Sequence, residues 1–243
     1  MIGERLRSSD WRRFVRPARF VRLVKGISHR LRLGGLRPWD WRYDRVRLSE
    51  NEIEAEGYKN LLGGGKEQWV RRGRFQLEFL RDRGLETSSR LLDVGCGPIR
   101  GGTHFVEFLD SGNYHGVDSN PDFVHTARRI LSSSPLKLKN PSIEVSRDFE
   151  LPSGWRRFDF GLAFSVLNHC GEDQRTFFFR NVPGAMRAGG RIYISHAYWF
   201  QESYLKDRPI DLTRTFGPRE YDLIARGWGP EEKVFPIIEL TVR

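Results

Sequence analysis

The residues of this chain whose types and spacing point most directly to chemistry are Asp93, Gly95 and Gly97, in the pattern Asp-x-Gly-x-Gly, and Asp118. The glycines follow a short apolar run, Leu91-Leu92-Asp93-Val94. Glycines at a strand end let the backbone turn tightly and approach a ligand without a Cβ in the way. A dinucleotide fingerprint needs a third glycine at the sixth loop position, and Arg100 stands there. A P-loop needs Gly-Lys-Ser/Thr, which is absent. Asp118 ends the next apolar run, Tyr114 to Val117. A carboxylate in that position can accept hydrogen bonds from both hydroxyls of a ribose. A carboxylate beside an open glycine loop also attracts cationic groups. Together these features suit a nucleoside that carries positive charge, such as S-adenosylmethionine.

The elements that must position these residues are legible in outline. The spacing predicts a helix over 66–83 with Trp69, Val70, Gly73, Leu77 and Leu80 on one apolar stripe. Residues 48–67 read as an acidic connector and a glycine turn. A helix is expected over 102–109. Asn120, Pro121 and Asp122 give the clearest helix start in the chain: a cap, a proline at the first position and an acid near the positive dipole end. Further strands are expected near 142–145, 158–164, 191–195 and 233–242, with helices from Glu172 and near 218–226. Alternating apolar strands and helices predict an α/β, doubly wound, mostly parallel sheet. Ligands of such sheets bind beyond the strand C-termini. Residues 197–216, with Tyr198, Trp199, Phe200, Tyr204 and Phe216, read either as an aromatic lid or as packing over a sheet edge.

Four stretches in this order resemble the class I S-adenosylmethionine-dependent methyltransferases: LLDVGCGPIRGG (91–102), YHGVDSN (114–120), FDFGLAFSVLNH (158–169) and AGGRIYIS (188–195). The resemblance spans about residues 57–195 and implies a Rossmann-like fold and that cofactor. It implies that Asp93, Gly95, Cys96 and Gly97 frame the methionine and ribose portion, and that Asp118 binds the ribose with Ser119 beside it. Asp148 and Phe149 would meet the adenine edge and face, and Ser165 and Val166 would lie under the methionine portion. The chain departs from the family at Ile99, where many members carry a third glycine, so a bulkier loop is expected there. The Asn-Pro-Pro-aromatic motif of amino methylation is absent; Ser165-Val166-Leu167-Asn168 stands near its place.

Methyl transfer from a sulfonium is an in-line displacement, in which the enzyme chiefly aligns the nucleophile. A base is needed only when the acceptor is protonated. His169 and His196, both following strands at the C-terminal edge, are the candidates for that role. His104 and His115 fall within a helix and a strand. The acceptor expected is a small molecule or a lipid-linked, saccharide-like compound. An RNA methyltransferase and a non-catalytic cofactor-binding partner subunit are the alternatives.

Charge divides the chain into an arm, 1–47, and a domain, 48–243. The arm holds fourteen Lys/Arg against four Asp/Glu, which is the whole +10 excess; the domain holds 27 of each sign. Its interleaved Trp, Phe and Arg residues suit an anionic membrane surface or nucleic-acid phosphates. Apolar residues make up 38% of the chain, enough for a packed core and against wholesale disorder. Cys96 and Cys170 form no disulfide framework and lack metal-ligand spacing. A cytoplasmic protein with peripheral membrane contact, and no metal, is the expectation.

Overall fold

The computed structural model describes residues 46–63, 65–216 and 237–243. The arm, apart from Val46 and Arg47, and the helix expected near 218–226 lie outside the described residues. Seven strands form one sheet in the order β3-β2-β1-β4-β5-β7-β6. They are β1 (Leu91–Val94), β2 (Tyr114–Asp118), β3 (Ser142–Val145), β4 (Phe158–Ala163), β5 (Met186–Ser195), β6 (Ile210–Phe216) and β7 (Ile237–Val242). The first five run parallel. β7 pairs antiparallel with both β5 and β6. The order reverses at β1, which pairs with β2 on one side and β4 on the other. Crossovers from the two sides therefore leave by opposite faces, and a crevice opens above β1 and β4.

The helices are α1 (Glu50–Glu54), α2 (Gly57–Gly63), α3 (Lys66–Arg81), α4 (Gly102–Phe108), α5 (Pro121–Ser132) and α6 (Glu172–Asn181). Each sheet face has its own apolar cluster. Phe75 and Phe79 of α3, Phe105 of α4, and Val124 and Ala127 of α5 cover one face. Phe178 and Phe179 of α6 cover the other. No helix among the described residues is long and apolar enough to cross a membrane.

The structure corrects several expectations. The acidic connector is helical: Ser49 and Glu52 form a reciprocal capping box that starts α1. This stretch is tied to the start of α5. The Asn120 side chain donates to the Val46 carbonyl at 3.0 Å, and the Leu48 N–H donates to Asp122 at 3.1 Å. On α3 the buried face takes in Phe75, Gln76 and Phe79, whereas Val70 is 49% exposed. β5 begins at Met186, five residues before the expected start, and shifts register against β4 between Phe158 and Phe160, with Gly189 at φ +72°. The second half of the aromatic stretch is edge strand β6. Of the first half, Tyr204 is 5% exposed and stacks 5.1 Å from Phe179, with Trp199 and Phe200 on the same ring. Phe216 is buried against Phe79 at 5.6 Å. These aromatics are core packing rather than a lid.

Candidate active site

Two hydrogen bonds join the ends of β1 and β2: the N–H groups of Gly95 and Cys96 both donate to the Val117 carbonyl, at 2.7 and 3.0 Å. The loop then turns through Gly95 and Gly97, whose φ angles are +72° and +55°. Such values suit glycine, because a Cβ collides with the backbone there. The Gly97 N–H donates to Asp118 Oδ2 at 2.9 Å, and the Asn120 N–H donates to Oδ1 at 2.9 Å. Nothing lies within 4 Å of the point where a Cβ on Gly97 would sit. Under Gly95, by contrast, the same construction meets Val166 Cγ2 at 2.3 Å. Gly95 thus abuts Val166, and Gly97 is joined to Asp118, beyond the ends of β1, β2 and β4. Ser119 is exposed beside Asp118. Burial raises the Asp118 carboxyl to about 6, against the opposing pull of the backbone N–H groups of Asn120, Gly97 and Ser119.

Asp93 and Cys96 serve this loop from below. Asp93 is 4% exposed and accepts the Tyr114 hydroxyl at 2.7 Å. The Cys96 sulfur lies 3.0 Å from where a Cβ on Gly116 would be, so the thiol faces the core. Only its backbone contributes to the loop. Ile99 occupies the expected third-glycine place with φ +61° and is wholly buried. Its side chain packs beside Gly102 and Tyr114 and leaves the loop mouth unthickened.

Burial raises the Asp93 carboxyl from 3.8 to about 6, more than the Tyr114 hydrogen bond lowers it. The folded state therefore binds this proton more tightly than the unfolded chain. Its contribution is fully present below about pH 4 and is lost as pH rises through 6, a change of roughly 3 kcal/mol. Asp93→Asn keeps an acceptor for Tyr114 and removes the titration. Urea unfolding at pH 4, 5, 6 and 7 should show a shallower fall in stability for this variant than for wild type. Parallel curves would show that Asp93 titrates as it does in the unfolded chain.

The other expected positions are arranged as follows. Asp148 is exposed, with φ +54°, and its carbonyl accepts the Asn181 side chain at 2.9 Å. The Phe149 ring meets Phe178 edge-on at 5.3 Å, so α6 pins this turn. Ser165 and His196 end neighbouring strands β4 and β5, and both have left-handed backbones, φ +63° and +58°. Non-glycine residues hold this conformation only where the surroundings impose it. Here Ser195 Oγ accepts the Ser165 N–H at 2.8 Å and bonds His196 Nδ1 at 2.9 Å. Ser165 Oγ lies 3.3 and 3.4 Å from the two ring nitrogens, within hydrogen-bond reach of either.

Burial holds His196 down at about 3, with repulsion from His169, Arg100 and Arg72 adding to it. Burial likewise takes His169 to about 4. Both rings are therefore neutral at physiological pH. Arg72, Arg100 and Ser195 were not foreseen as site residues. For Ser195, its place one residue before His196 was the available signal. For Arg72 no signal was available, since α3 also carries Arg71, Arg74 and Arg81.

A mostly parallel seven-stranded sheet with this terminal antiparallel pair, and a glycine loop facing an acid across β1 and β2, defines the class I S-adenosylmethionine-dependent methyltransferase fold. Residues 92–192 match a family profile described as "Methyltransferase domain". No curated protein matches in sequence. Among solved structures, the chain is similar to a TehB-like SAM-dependent methyltransferase from Corynebacterium glutamicum, with TM-score 0.56 and 20% identity over 80% of this chain and 100% of that one. It is similar to magnesium protoporphyrin IX methyltransferase from Synechocystis with bound SAM, with TM-score 0.52 and 16% identity over 82% and 100%. A third similar structure is the [4+2]-cyclase SpnF, with TM-score 0.52 and 13% identity over 69% and 81%.

Proposed function

We propose that this chain binds S-adenosylmethionine in the crevice above β1 and β4, with β2 contributing Asp118 at its rim, and transfers its methyl group to a small-molecule acceptor. The observation that carries this reading is the Asp118 carboxylate, fixed by the Gly97 and Asn120 N–H groups beside the open space over Gly97. The residues present fit the cofactor. Asp118 would accept the ribose hydroxyls, Gly95 and Gly97 would admit the chain without a Cβ, and Val166 would floor the methionine portion. When bound, S-adenosylmethionine supplies an electrophilic methyl group whose bond to sulfur breaks with the electron pair staying on sulfur. The protein's part is to hold the acceptor in line and keep competing water out.

Calorimetry with S-adenosylhomocysteine tests the assignment. Asp118→Ala should weaken binding about 150-fold or more, the loss of two charge-assisted hydrogen bonds at about 1.5 kcal/mol or more each. Because the carboxylate rather than the acid accepts both hydroxyls, wild-type affinity should also fall as pH drops below 6. Equal affinities for wild type and variant would remove the ribose assignment. The cyclase among the similar structures gives this test a second half. Cofactor binding without methyl transfer to any acceptor would favour a binding or partner-subunit role.

A further inference from the structure

The N-terminal ends of β1, β4 and β5 lie side by side, because the three strands run parallel with β4 in the middle. Arginines collect there. Arg90 precedes β1, Arg156 and Arg157 precede β4, and Arg187 is the second residue of β5. Arg191 follows on β5, beside Phe160 of β4. Asp159 ties the strand ends together: it accepts the Arg90 N–H at 2.7 Å and pairs with the Arg187 guanidinium. It offsets only one of the positive charges in this group. The Arg90 and Arg191 guanidinium groups lie over the Phe158 and Phe160 rings, at 5.2 and 4.7 Å. Stacking of this kind holds the planar fork in place for acceptors such as phosphate oxygens. Arg156 and Arg157 are exposed, and among the described residues neither has an acidic partner. Trp155, in the same turn, meets His115 edge-on at 4.8 Å and keeps part of its surface open. Residues 48–243 hold equal numbers of both signs, so this local excess comes from placement and not from composition.

We propose that this end of the sheet is a docking surface for an anionic lipid membrane, with Arg156 and Arg157 meeting headgroup phosphates and Trp155 at the headgroup boundary. Each cation brought near such a surface adds to the attraction, and a half-open tryptophan suits the boundary between headgroups and acyl chains. The place of the cluster in the fold favours lipid over nucleic acid. The cofactor crevice opens beyond the C-terminal ends of the same strands, and the six residues of β4 set the two ends about 20 Å apart. RNA held at the arginines is not thereby brought to the crevice, whereas a membrane held there leaves the crevice facing the aqueous side. The surface is independent of what the crevice binds.

The test is co-sedimentation of the full chain with vesicles of equal parts phosphatidylserine and phosphatidylcholine, and with vesicles of phosphatidylcholine alone. The mixed vesicles should bind at least about tenfold more tightly. Arg156→Gln with Arg157→Gln should weaken mixed-vesicle binding about 25-fold, or about fivefold for each cation withdrawn from an anionic surface. Residues 1–47 are present in every chain compared, so their own affinity cancels from the ratio. Arg71→Gln with Arg74→Gln removes the same charge from α3 and should change binding by less than about twofold. Urea midpoints should be equal across the set. If Arg157→Gln, at a position with φ +64°, shifts the midpoint, Arg156→Gln alone decides, with a loss of about fivefold. The proposal is overturned if the mixed vesicles bind no better than phosphatidylcholine, if the variant at Arg156 and Arg157 binds them as wild type does, or if the α3 variant is weakened equally. It is also overturned if the two arginines matter only for binding a single-stranded RNA oligomer.

Discussion

Gly73→Ala should destabilise the protein by about 3 kcal/mol, although alanine is the better helix former by about 1 kcal/mol. Gly73 lies within α3, where the helix crosses the loop between β1 and α4. A Cβ there would sit 2.3 Å from the Arg100 carbonyl oxygen and 2.9 Å from His104 Cδ2. The nearest atom is backbone, so no rotamer change relieves the overlap, and either the helix or the loop must move. Arg100 has further ties here: its guanidinium donates to the Leu62 carbonyl at 3.3 Å and lies 5.6 Å over the Trp69 ring. Moving the loop therefore disturbs the packing of α2 and α3 together. Urea denaturation measures the loss, and S-adenosylhomocysteine affinity should fall with it because Gly97 belongs to the same loop. A stabilised Gly73→Ala variant would mean that α3 stands farther from the loop than described.

Gly95→Ala should cost a similar amount but for a different reason, and the difference can be read by rescue. The position combines φ +72° with Val166 Cγ2 at 2.3 Å and Cγ1 at 3.0 Å from the added Cβ. The left-handed backbone costs about 1–2 kcal/mol for alanine, and the overlap adds about 1–3 kcal/mol. The variant should also lose measurable cofactor binding, since Val166 must move into the cleft. Adding Val166→Ala removes both Cγ atoms and leaves only the Val166 Cβ, at 3.2 Å. The double variant should therefore recover the steric part, with a coupling of about 1–2 kcal/mol, and retain the backbone part. Strict additivity of the two changes would show that the side chains do not meet. No comparable rescue exists for Gly73, where the obstacle is a carbonyl.

Several features were legible because their causes are local. The Asn120-Pro121-Asp122 start of α5 is observed as read: the Asn120 side chain accepts the Asp122 and Phe123 N–H groups. β1 and β2 are short apolar runs that end in a glycine loop and an acid, and nothing distant is needed to form them. β6 was missed although Ile210-Asp-Leu-Thr-Arg-Thr-Phe216 carries apolar residues at alternate positions near its start. It exposes most of its residues and shifts register between Leu212 and Arg214, which blurs the period of two. Its partner β7 supplies the burial, with four of its first four residues buried.

The sequence by itself determined the alternating α/β plan, the glycine loop and its facing acid at Asp118, and the excess charge confined to residues 1–47. Each depends on neighbours along the chain: turn conformation, capping, apolar runs and simple charge counting. Only the tertiary structure decided which side chains meet beyond the ends of β4 and β5. Ser165 and His196 are separated by 31 positions and meet because β4 and β5 run parallel in a register that sets Ala163 beside Ile194. The structure also turned Ile99 and Cys96 into the core and placed Asp93 beneath the loop on the Tyr114 hydroxyl. Those outcomes depend on which volume is already filled when the layers close, and no local pattern of residues carries that information.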